Sequence, residues 1–519
     1  MDQLAGPSPV GGLIPGEGER KYEEFSCLNL TVNVPRECLE GKKKDVPVMV
    51  YVHGGAFKEG AGNISHQHDT GAMVDLSVQE GKPMIMICIH YRLGWFGFLA
   101  CQDLIAESLA SGEATCNYGL HDQRTAFRWI QHHIPGFGGS ASQITAFGES
   151  AGSVSIAMHM CSDVPLFNRA ILQSGTTATV PPVTAKEKEA EYKALLTFLG
   201  ISYDDKERLK KLRSVSSQRL VDAINGVGLP VHRPVYDDQY EKAFFNKGTP
   251  DWWTEDEILE RCSWVEEIII GDTFFEGWIL QHPLGLVNLN DFIALMTTQL
   301  GEQHASKLLD AYNITPNMDH NKFWTQLMYL IGDVQFSEPT DKVAKALASP
   351  SQKQGIKKKK VYRYNITLRN PFPGSVYHQI PGHHFVDVLF LFGTFRFRYP
   401  TQKLVDISTE FMRRWLNFGA GQQPWDEYIV DGDNEQGGEK IMIINSSSGF
   451  ELRTRKEDEE KSKVSEEGER RYKQWEVIRE IMRDMKAKNR HVRTLWGLDG
   501  EVYRLSGTLP ELSPVGIVS

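Results

Sequence analysis

Ile144-Thr-Ala-Phe-Gly-Glu-Ser-Ala-Gly152 is the stretch that decides the fold. Residues 144–147 favour a β-strand, and the small residues 153–160 that follow favour a helix. A Gly-x-Ser-x-Gly pattern between a strand and a helix is typical of a nucleophile elbow, where a serine stands on a sharp turn. The flanking glycines relieve the crowding of such a turn. The helix directs free amides toward negative charge that develops at Ser150.

Other apolar runs along the chain predict the strands of one sheet. Continuous apolar strands separated by helix-length segments are typical of a parallel sheet covered by helices on both faces. Such strands are predicted at 46–52, 84–89, 144–147, 170–172, 268–270 and 362–367, and a more polar edge strand at 27–34. An amphipathic helix is predicted at 119–134 and another at 472–482.

The domain organisation follows from the changes in composition. Between residues 185 and 340 the chain contains mainly charged helical segments, which we expect to form a helical insertion over the active edge of the sheet. The alternative is a separate domain, but no linker marks its boundary. We therefore expect residues 1–519 to form a single α/β domain, with residues 1–20 as a flexible lead-in.

Composition excludes several classes of partner. The net charge of the 519-residue chain is −10, and a nucleic-acid-binding protein is expected to carry a basic surface instead. No apolar run is long enough to span a bilayer. The N-terminal 20 residues lack the apolar core of a signal peptide, and the seven cysteines are scattered. These features favour a cytoplasmic setting. They leave the oligomeric state open.

A serine nucleophile needs amide donors, a base and an acid. The loop His53-Gly-Gly-Ala-Phe57 follows a predicted buried strand, at the place where hydrolases of this architecture supply oxyanion donors, and the amide of Ala151 is a further donor. The order serine, acid, histidine requires an acid and then a histidine downstream of Ser150. Glu276 follows the predicted strand 268–270, and Asp272 is its rival.

The base candidates are three histidines in one loop. His378, His383 and His384 lie within residues 377–392, just before an apolar run. A histidine in this position activates a serine hydroxyl by accepting its proton. The residues alone do not distinguish His383 from His384.

Several motifs together resemble the type-B carboxylesterase/cholinesterase family of α/β-hydrolases. The resemblance spreads from about residue 27 to residue 475. It is carried by Cys27-Leu-Asn-Leu-Thr-Val32, His53-Gly-Gly-Ala-Phe57, Tyr91-Arg-Leu-Gly-Trp-Phe-Gly-Phe-Leu99, Asn117-Tyr-Gly-Leu-His-Asp-Gln123, Phe147-Gly-Glu-Ser-Ala-Gly152, Ala170-Ile-Leu-Gln-Ser-Gly175 and Phe411-Met-Arg-Arg-Trp-Leu416.

The resemblance implies a choice among the candidates. The family acid lies five residues after a strand-end glycine and directly before another glycine, which selects Glu276. The family histidine is followed by an acid at +3 and by Phe-Gly at +8 and +9. Asp387 and Phe392-Gly393 therefore select His384. The same matching assigns the oxyanion hole to the amides of Gly55, Ala56 and Ala151, and it makes Glu149 a buried carboxylate outside the triad.

This chain also departs from the family pattern. The family's opening segment is missing before Cys27, so we expect an N-terminally shortened member. The tryptophan that binds cations in cholinesterases is missing with it, which disfavours choline esters. Ala56 stands where a third glycine is usual, and Ser140 replaces an aspartate.

The resemblance implies a serine carboxylic-ester hydrolase that forms an acyl-enzyme on a small-molecule ester. Such an enzyme needs neither a metal nor an organic cofactor. An acyltransferase or a lactonase with the same triad is one alternative, because the residues do not decide which acceptor takes the acyl group. A non-catalytic binding protein is the other, and it is disfavoured because Ser150, Glu276 and His384 are all retained.

Overall fold

Nine strands of the described residues form one sheet in the order β1-β3-β2-β4-β5-β6-β7-β8-β9. The computed structural model describes residues 26–62, 64, 67–237, 244–245, 255–350, 356–430, 438–465, 467–487 and 505, so the predicted lead-in at 1–20 lies outside them. The strands are β1 Leu30–Asn33, β2 Val46–Val52, β3 Ile85–Ile89, β4 Gly139–Glu149, β5 Arg169–Gln173, β6 Glu267–Thr273, β7 Lys360–Ile366, β8 Lys440–Asn445 and β9 Gly449–Thr454.

The sheet is parallel except at its two edges. Strand β1 pairs antiparallel with β3, and β9 pairs antiparallel with β8. The six strands from β2 to β7 that carry the apolar runs pair in parallel, as does β8 with β7. Each predicted strand is present, with bounds shifted by up to five residues in β4. The edge pair β8–β9 was not predicted.

Helices cover the sheet. Their bounds are α1 Arg36–Leu39, α2 Gly71–Gln79, α3 Gly94–Phe98, α4 Gln102–Ser111, α5 Tyr118–His133, α6 Ala151–Met160, α7 Ala185–Leu199, α8 Arg208–Arg213, α9 Ser217–Gly226, α10 Glu255–Arg261, α11 Gln281–Leu284, α12 Leu289–Leu300, α13 Glu302–Ala311, α14 His320–Gly332, α15 Glu338–Ala348, α16 Val386–Phe392, α17 Gln402–Gly419, α18 Arg455–Ser462 and α19 Tyr472–Ala487. Short 3₁₀ turns occupy Ile134–Phe137, Glu276–Leu280 and Arg396–Arg398, and a π-helical turn occupies Asp333–Ser337.

Strand β2 shows why the parallel strands are apolar throughout. Its side chains alternate between two buried clusters, because successive residues of a strand point to opposite faces. Val48 and Val50 pack with α5 and α6 on one face. Met49 and Tyr51 pack with α2 and α17 on the other. Both faces are thus covered by helices, which confirms the predicted fold class.

The helical segment 185–340 is not continuous. Strand β6, which lies beside the central strand β5 in the sheet, interrupts this segment, so the helices fall into two groups. Helices α7 to α9 form a cluster with Trp95 and Leu99. Helices α12 to α14 form another with Phe274, Phe275 and apolar residues of α19. The predicted insertion therefore consists of two groups of helices, one before β6 in the chain and one after it.

Candidate active site

Ser150 lies at the junction between β4 and α6, with an unusual backbone. Its φ and ψ are 55° and −125°, which only a tightly held turn imposes on a residue with a side chain. The turn is fixed by two hydrogen bonds, one from the Ser150 amide to the Gln173 carbonyl oxygen at 2.9 Å and one from the Val154 amide to the Ser150 carbonyl oxygen at 2.9 Å. Ser150 is half-buried, unlike the fully buried residues on either side of it.

The two glycines of the motif are required by the neighbouring strand. A Cβ on Gly148 would lie 2.6 Å from the carbonyl oxygen of Val52, and one on Gly152 would overlap that oxygen. Strand β2 thus passes so close to the elbow that no side chain fits at either position. The Gly-x-Ser-x-Gly spacing is a packing requirement of the β2–β4–α6 contact.

The loop after β2 runs along the other side of Ser150. Gly55, Ala56 and Phe57 have consecutive positive φ values of 105°, 55° and 57°. A run of this kind turns successive amides to one side, as in backbone sites that bind anions. A Cβ on Gly54 would lie 3.1 Å from Cβ of Ser150, which places the loop against the nucleophile candidate.

The side chains of Glu276 and His384 contact each other directly. Glu276 begins the 3₁₀ turn after β6, and its Oε2 lies 2.5 Å from Nδ1 of His384. Its other oxygen accepts a hydrogen bond of 2.7 Å from the Thr273 amide. The carboxylate is therefore fixed at both oxygens and fully buried, as an acid that orients an imidazole must be.

The second nitrogen of His384 faces Glu149. The distance from Nε2 to Oε1 of Glu149 is 2.9 Å, but the angle does not make a hydrogen bond, and this oxygen has no hydrogen-bond partner within the described chain. Glu149 directly precedes Ser150, so the imidazole lies beside the elbow. Sequence reasoning placed Glu149 outside the triad and missed this direct contact with the base.

The two carboxylates decide the protonation of His384. Burial disfavours the imidazolium, but Glu149 and Glu276 outweigh it and raise the pKa of His384 well above its ordinary value. A further buried carboxylate, that of Asp387, accepts a hydrogen bond of 2.8 Å from the side chain of Gln173. Burial, reinforced by the charge of Glu149, raises the pKa of Asp387 to about 7.

Among the hydrogen bonds of the described residues, the side chains of the other candidates for the acid and the base make none to Glu276 or Ser150. Asp272 forms a buried ion pair with Arg363 at 2.5 Å, so its carboxylate binds a guanidinium and not the imidazole of His384. Nε2 of His383 lies 3.0 Å from the side-chain nitrogen Nδ2 of Asn370, and its Nδ1 lies 2.5 Å from the backbone carbonyl oxygen of His384. Burial lowers the pKa of His383 to about 3. His378 is exposed.

The structure thus brings His384, Glu276 and Glu149 together and places the loop 54–57 beside Ser150. Among the hydrogen bonds of the described residues, none joins Ser150 Oγ to His384. The described part of the chain also contains no cluster of three or more His, Cys, Asp or Glu side chains suited to a metal ion. No helix among the described residues combines the length and apolar composition that crossing a bilayer requires.

Comparison with known proteins identifies the family. The model of the carboxylesterase family matches residues 15–438, which is most of the chain. The chain belongs to the carboxylesterase family. Its relatives include Lipase 3 of Yarrowia lipolytica, 28% identical over 77% of this chain and 72% of the relative, and the para-nitrobenzyl esterase of Bacillus subtilis, 32% identical over 59% of this chain and 58% of the relative.

Other members of the carboxylesterase family match over shorter or more divergent stretches. Lipase 5 of Diutina rugosa is 38% identical over 38% of this chain, and that match spans only 35% of the lipase. Among solved structures, a PNB esterase superposes with a TM-score of 0.65 and 24% identity, covering 88% of each chain. At that identity the superposition shows the shared fold alone.

Proposed function

We propose that this protein is a serine carboxylic-ester hydrolase that acts through an acyl-enzyme on Ser150. Membership of the carboxylesterase family supports the reaction class. The elbow supports the nucleophile, since Ser150 is half-buried at the head of α6 with the glycine loop against it. The observation that carries the proposal is the 2.5 Å contact between Glu276 and His384 beside that elbow.

In the proposed reaction Ser150 Oγ attacks the ester carbonyl carbon and His384 Nε2 accepts its proton. Glu276 holds the imidazole through Nδ1 and stabilises the imidazolium. The imidazolium then protonates the leaving alcohol, and water activated by the same nitrogen releases the acid from Ser150. Catalytic hydrogen bonds are often long or poorly aligned before substrate binds, so the contact of Nε2 with Glu149 is compatible with this role.

The proposed oxyanion hole consists of the amides of Gly55, Ala56 and Ala151. Ala151 is the first residue of α6, where the amides have no partner in the preceding turn and the helix dipole favours negative charge. Positive φ at Gly55 and Ala56 supports the inward direction of the loop amides. The loss of one such donor typically costs about 10²–10³ in rate.

Replacement of the nucleophile tests the proposal. We expect Ser150→Ala to lower kcat by roughly 10⁶ on an activated ester such as p-nitrophenyl butyrate, as triad removal does elsewhere. Initial rates with purified wild type and variant give the comparison, and equal melting temperatures show that the variant is folded. Turnover near the wild-type value in Ser150→Ala would refute the assignment.

A further inference from the structure

Glu59 comes two residues after the loop 54–57 and packs against Gly55 of that loop. A Cβ on Gly54 would lie 3.1 Å from Cβ of Ser150, and a Cβ on the next residue, Gly55, would lie 3.2 Å from Cγ of Glu59. The amide of Glu59 donates to the Gly55 carbonyl oxygen at 3.0 Å, which closes the turn. Gly54 therefore adjoins Ser150, and the next residue, Gly55, adjoins the side chain of Glu59.

Glu59 is half-buried, and one of its two carboxyl oxygens lacks a partner among the described residues. Its Oε2 is buried and has no hydrogen-bond partner in the described chain. Lys58 is adjacent in sequence but makes no ion pair with it among the described residues. A buried acceptor without a partner costs free energy, and a hydrogen-bond donor from outside the chain would remove that cost.

The loop that carries the base lies on the other side of Glu59. Tyr377 belongs to this loop, and its ring packs 4.7 Å from that of His383. Burial raises the pKa of Tyr377, and the charge of Glu59 raises it further. Glu59 thus packs against the loop with the proposed oxyanion donors, and its charge acts on a residue of the loop with His384.

We propose that Glu59 is a specificity-determining residue that accepts a hydrogen bond from a hydroxyl group of the ester. This inference rests on the proposed esterase function and adds the class of substrate, namely hydroxylated esters. A site built to bond a polar group rejects an analogue without that group, because the buried partner is then left unpaired. An apolar isostere should therefore react more slowly than the hydroxylated ester.

Two matched pairs of esters test the proposal in the wild-type protein. One pair, p-nitrophenyl β-hydroxybutyrate and p-nitrophenyl isovalerate, differs on the acyl side. The other, glycol monobutyrate and propyl butyrate, differs on the alcohol side. Each kcat/KM is divided by the rate of hydroxide-catalysed hydrolysis of the same ester. We expect a preference of about ten-fold or more for the hydroxylated member of at least one pair.

Variants of Glu59 then show whether the preference for the hydroxylated ester depends on this side chain. Glu59→Leu should bring the ratio close to one, and Glu59→Gln should give an intermediate ratio because its amide oxygen still accepts a hydrogen bond. Each ratio is taken within one protein, so a general loss of activity cancels. Glu113 is exposed, and Glu113→Leu should keep the wild-type ratio.

The outcomes separate the two proposals. A ratio near one for both pairs in the wild type, or an unchanged ratio in Glu59→Leu, would overturn the role of Glu59. The wild-type ratio and Glu59→Gln decide the matter if Glu59→Leu does not fold. Failure of the wild type to hydrolyse any of the four esters would instead contradict the esterase function itself.

Discussion

His384 shows how two neighbouring residues set the state of one imidazole. Nδ1 faces Glu276 and Nε2 faces Glu149, and both carboxylates favour the imidazolium. The proposed base must be neutral to accept the proton of Ser150. A pKa raised well above the ordinary value therefore moves the onset of activity to higher pH.

Replacing one carboxylate should move the pH profile. In Glu149→Gln one of the two charges that raise the pKa of His384 is lost, so its pKa falls. The rising limb of kcat/KM should then move to lower pH, which a series of buffers at constant ionic strength would show. Glu113→Gln, at an exposed position, should leave the limb in place. If the rising limb of the kcat/KM profile stays fixed or moves to higher pH in Glu149→Gln, the electrostatic role of Glu149 is contradicted.

At the residue scale the sequence supplied the candidates but not their contacts. The nearness of Nε2 to Glu149 depends on how β4 and the loop before α16 meet in space, and neither pattern nor spacing contains that information. The resemblance selected Glu276 and His384, and the structure pairs these two residues while Asp272 bonds to Arg363. The assignment of Ser150 and of the oxyanion amides stays a prediction.

At the element scale the site depends on the approach of β2 to the elbow. The carbonyl oxygen of Val52 lies where a Cβ of Gly152 would be. An alanine there must push α6 away from the sheet and with it the turn that holds Ser150. Gly136, in the turn after α5, has no atom within 4 Å of its virtual Cβ and serves as a matched control.

We expect Gly152→Ala to lower both the melting temperature and the esterase rate, with a cost of about 1–3 kcal/mol in the free energy of unfolding, as overpacking in a dense core usually has. Gly136→Ala should change the free energy of unfolding by less than about 0.5 kcal/mol. Urea unfolding of both variants gives the comparison. Equal stability of the two variants would show that the contact with Val52 is not restrictive.

The strands that the sequence predicts and those that it does not differ in their burial and in their position in the sheet. The parallel strands β2 to β7 are buried on both faces, so they read as continuous apolar runs. Strand β9 is an edge strand whose residues are mostly half-buried, which leaves a weak pattern. Strand β8 is a short run that cannot be distinguished from part of a buried helix by periodicity alone. The predicted insertion at 185–340 spans β6 even though a strand is predicted within it at 268–270, because the charged helices on both sides dominate the composition of the segment.

At the scale of the whole molecule, buried ion pairs join α19 to the helices beside the site. Asp341 of α15 is fully buried and lies 3.1 Å from Arg455 and 2.7 Å from Arg479. Burial opposes its charge, but these arginines, with Lys345, hold its pKa well below the ordinary value. Arg471 likewise pairs with Asp333 at 2.7 Å, in the turn that follows α14.

Breaking one buried pair should destabilise the whole fold. Asp341→Asn removes the carboxylate that Arg455 and Arg479 share. Glu439 and Glu338 still face these arginines. We therefore expect a loss of about 1.5–3 kcal/mol in the free energy of unfolding at neutral pH. Because the folded pKa is depressed, this contribution should shrink as the pH falls below about 4, the value in the unfolded chain.

Urea unfolding of wild type and variant at several pH values measures this difference. Asp204 is exposed, so Asp204→Asn should keep a free energy of unfolding close to that of the wild type. An Asp341→Asn variant with the wild-type free energy of unfolding would contradict this role.

Covalent labelling tests the central claim most directly. A fluorophosphonate reacts with a serine only where a base and an oxyanion hole activate it, so peptide mapping by mass spectrometry after labelling reads the nucleophile itself. The account predicts a single adduct on Ser150 in the wild type, none in Ser150→Ala, and strongly slowed labelling in His384→Ala. An unlabelled wild-type protein, or an adduct on another serine that persists in Ser150→Ala, would contradict it.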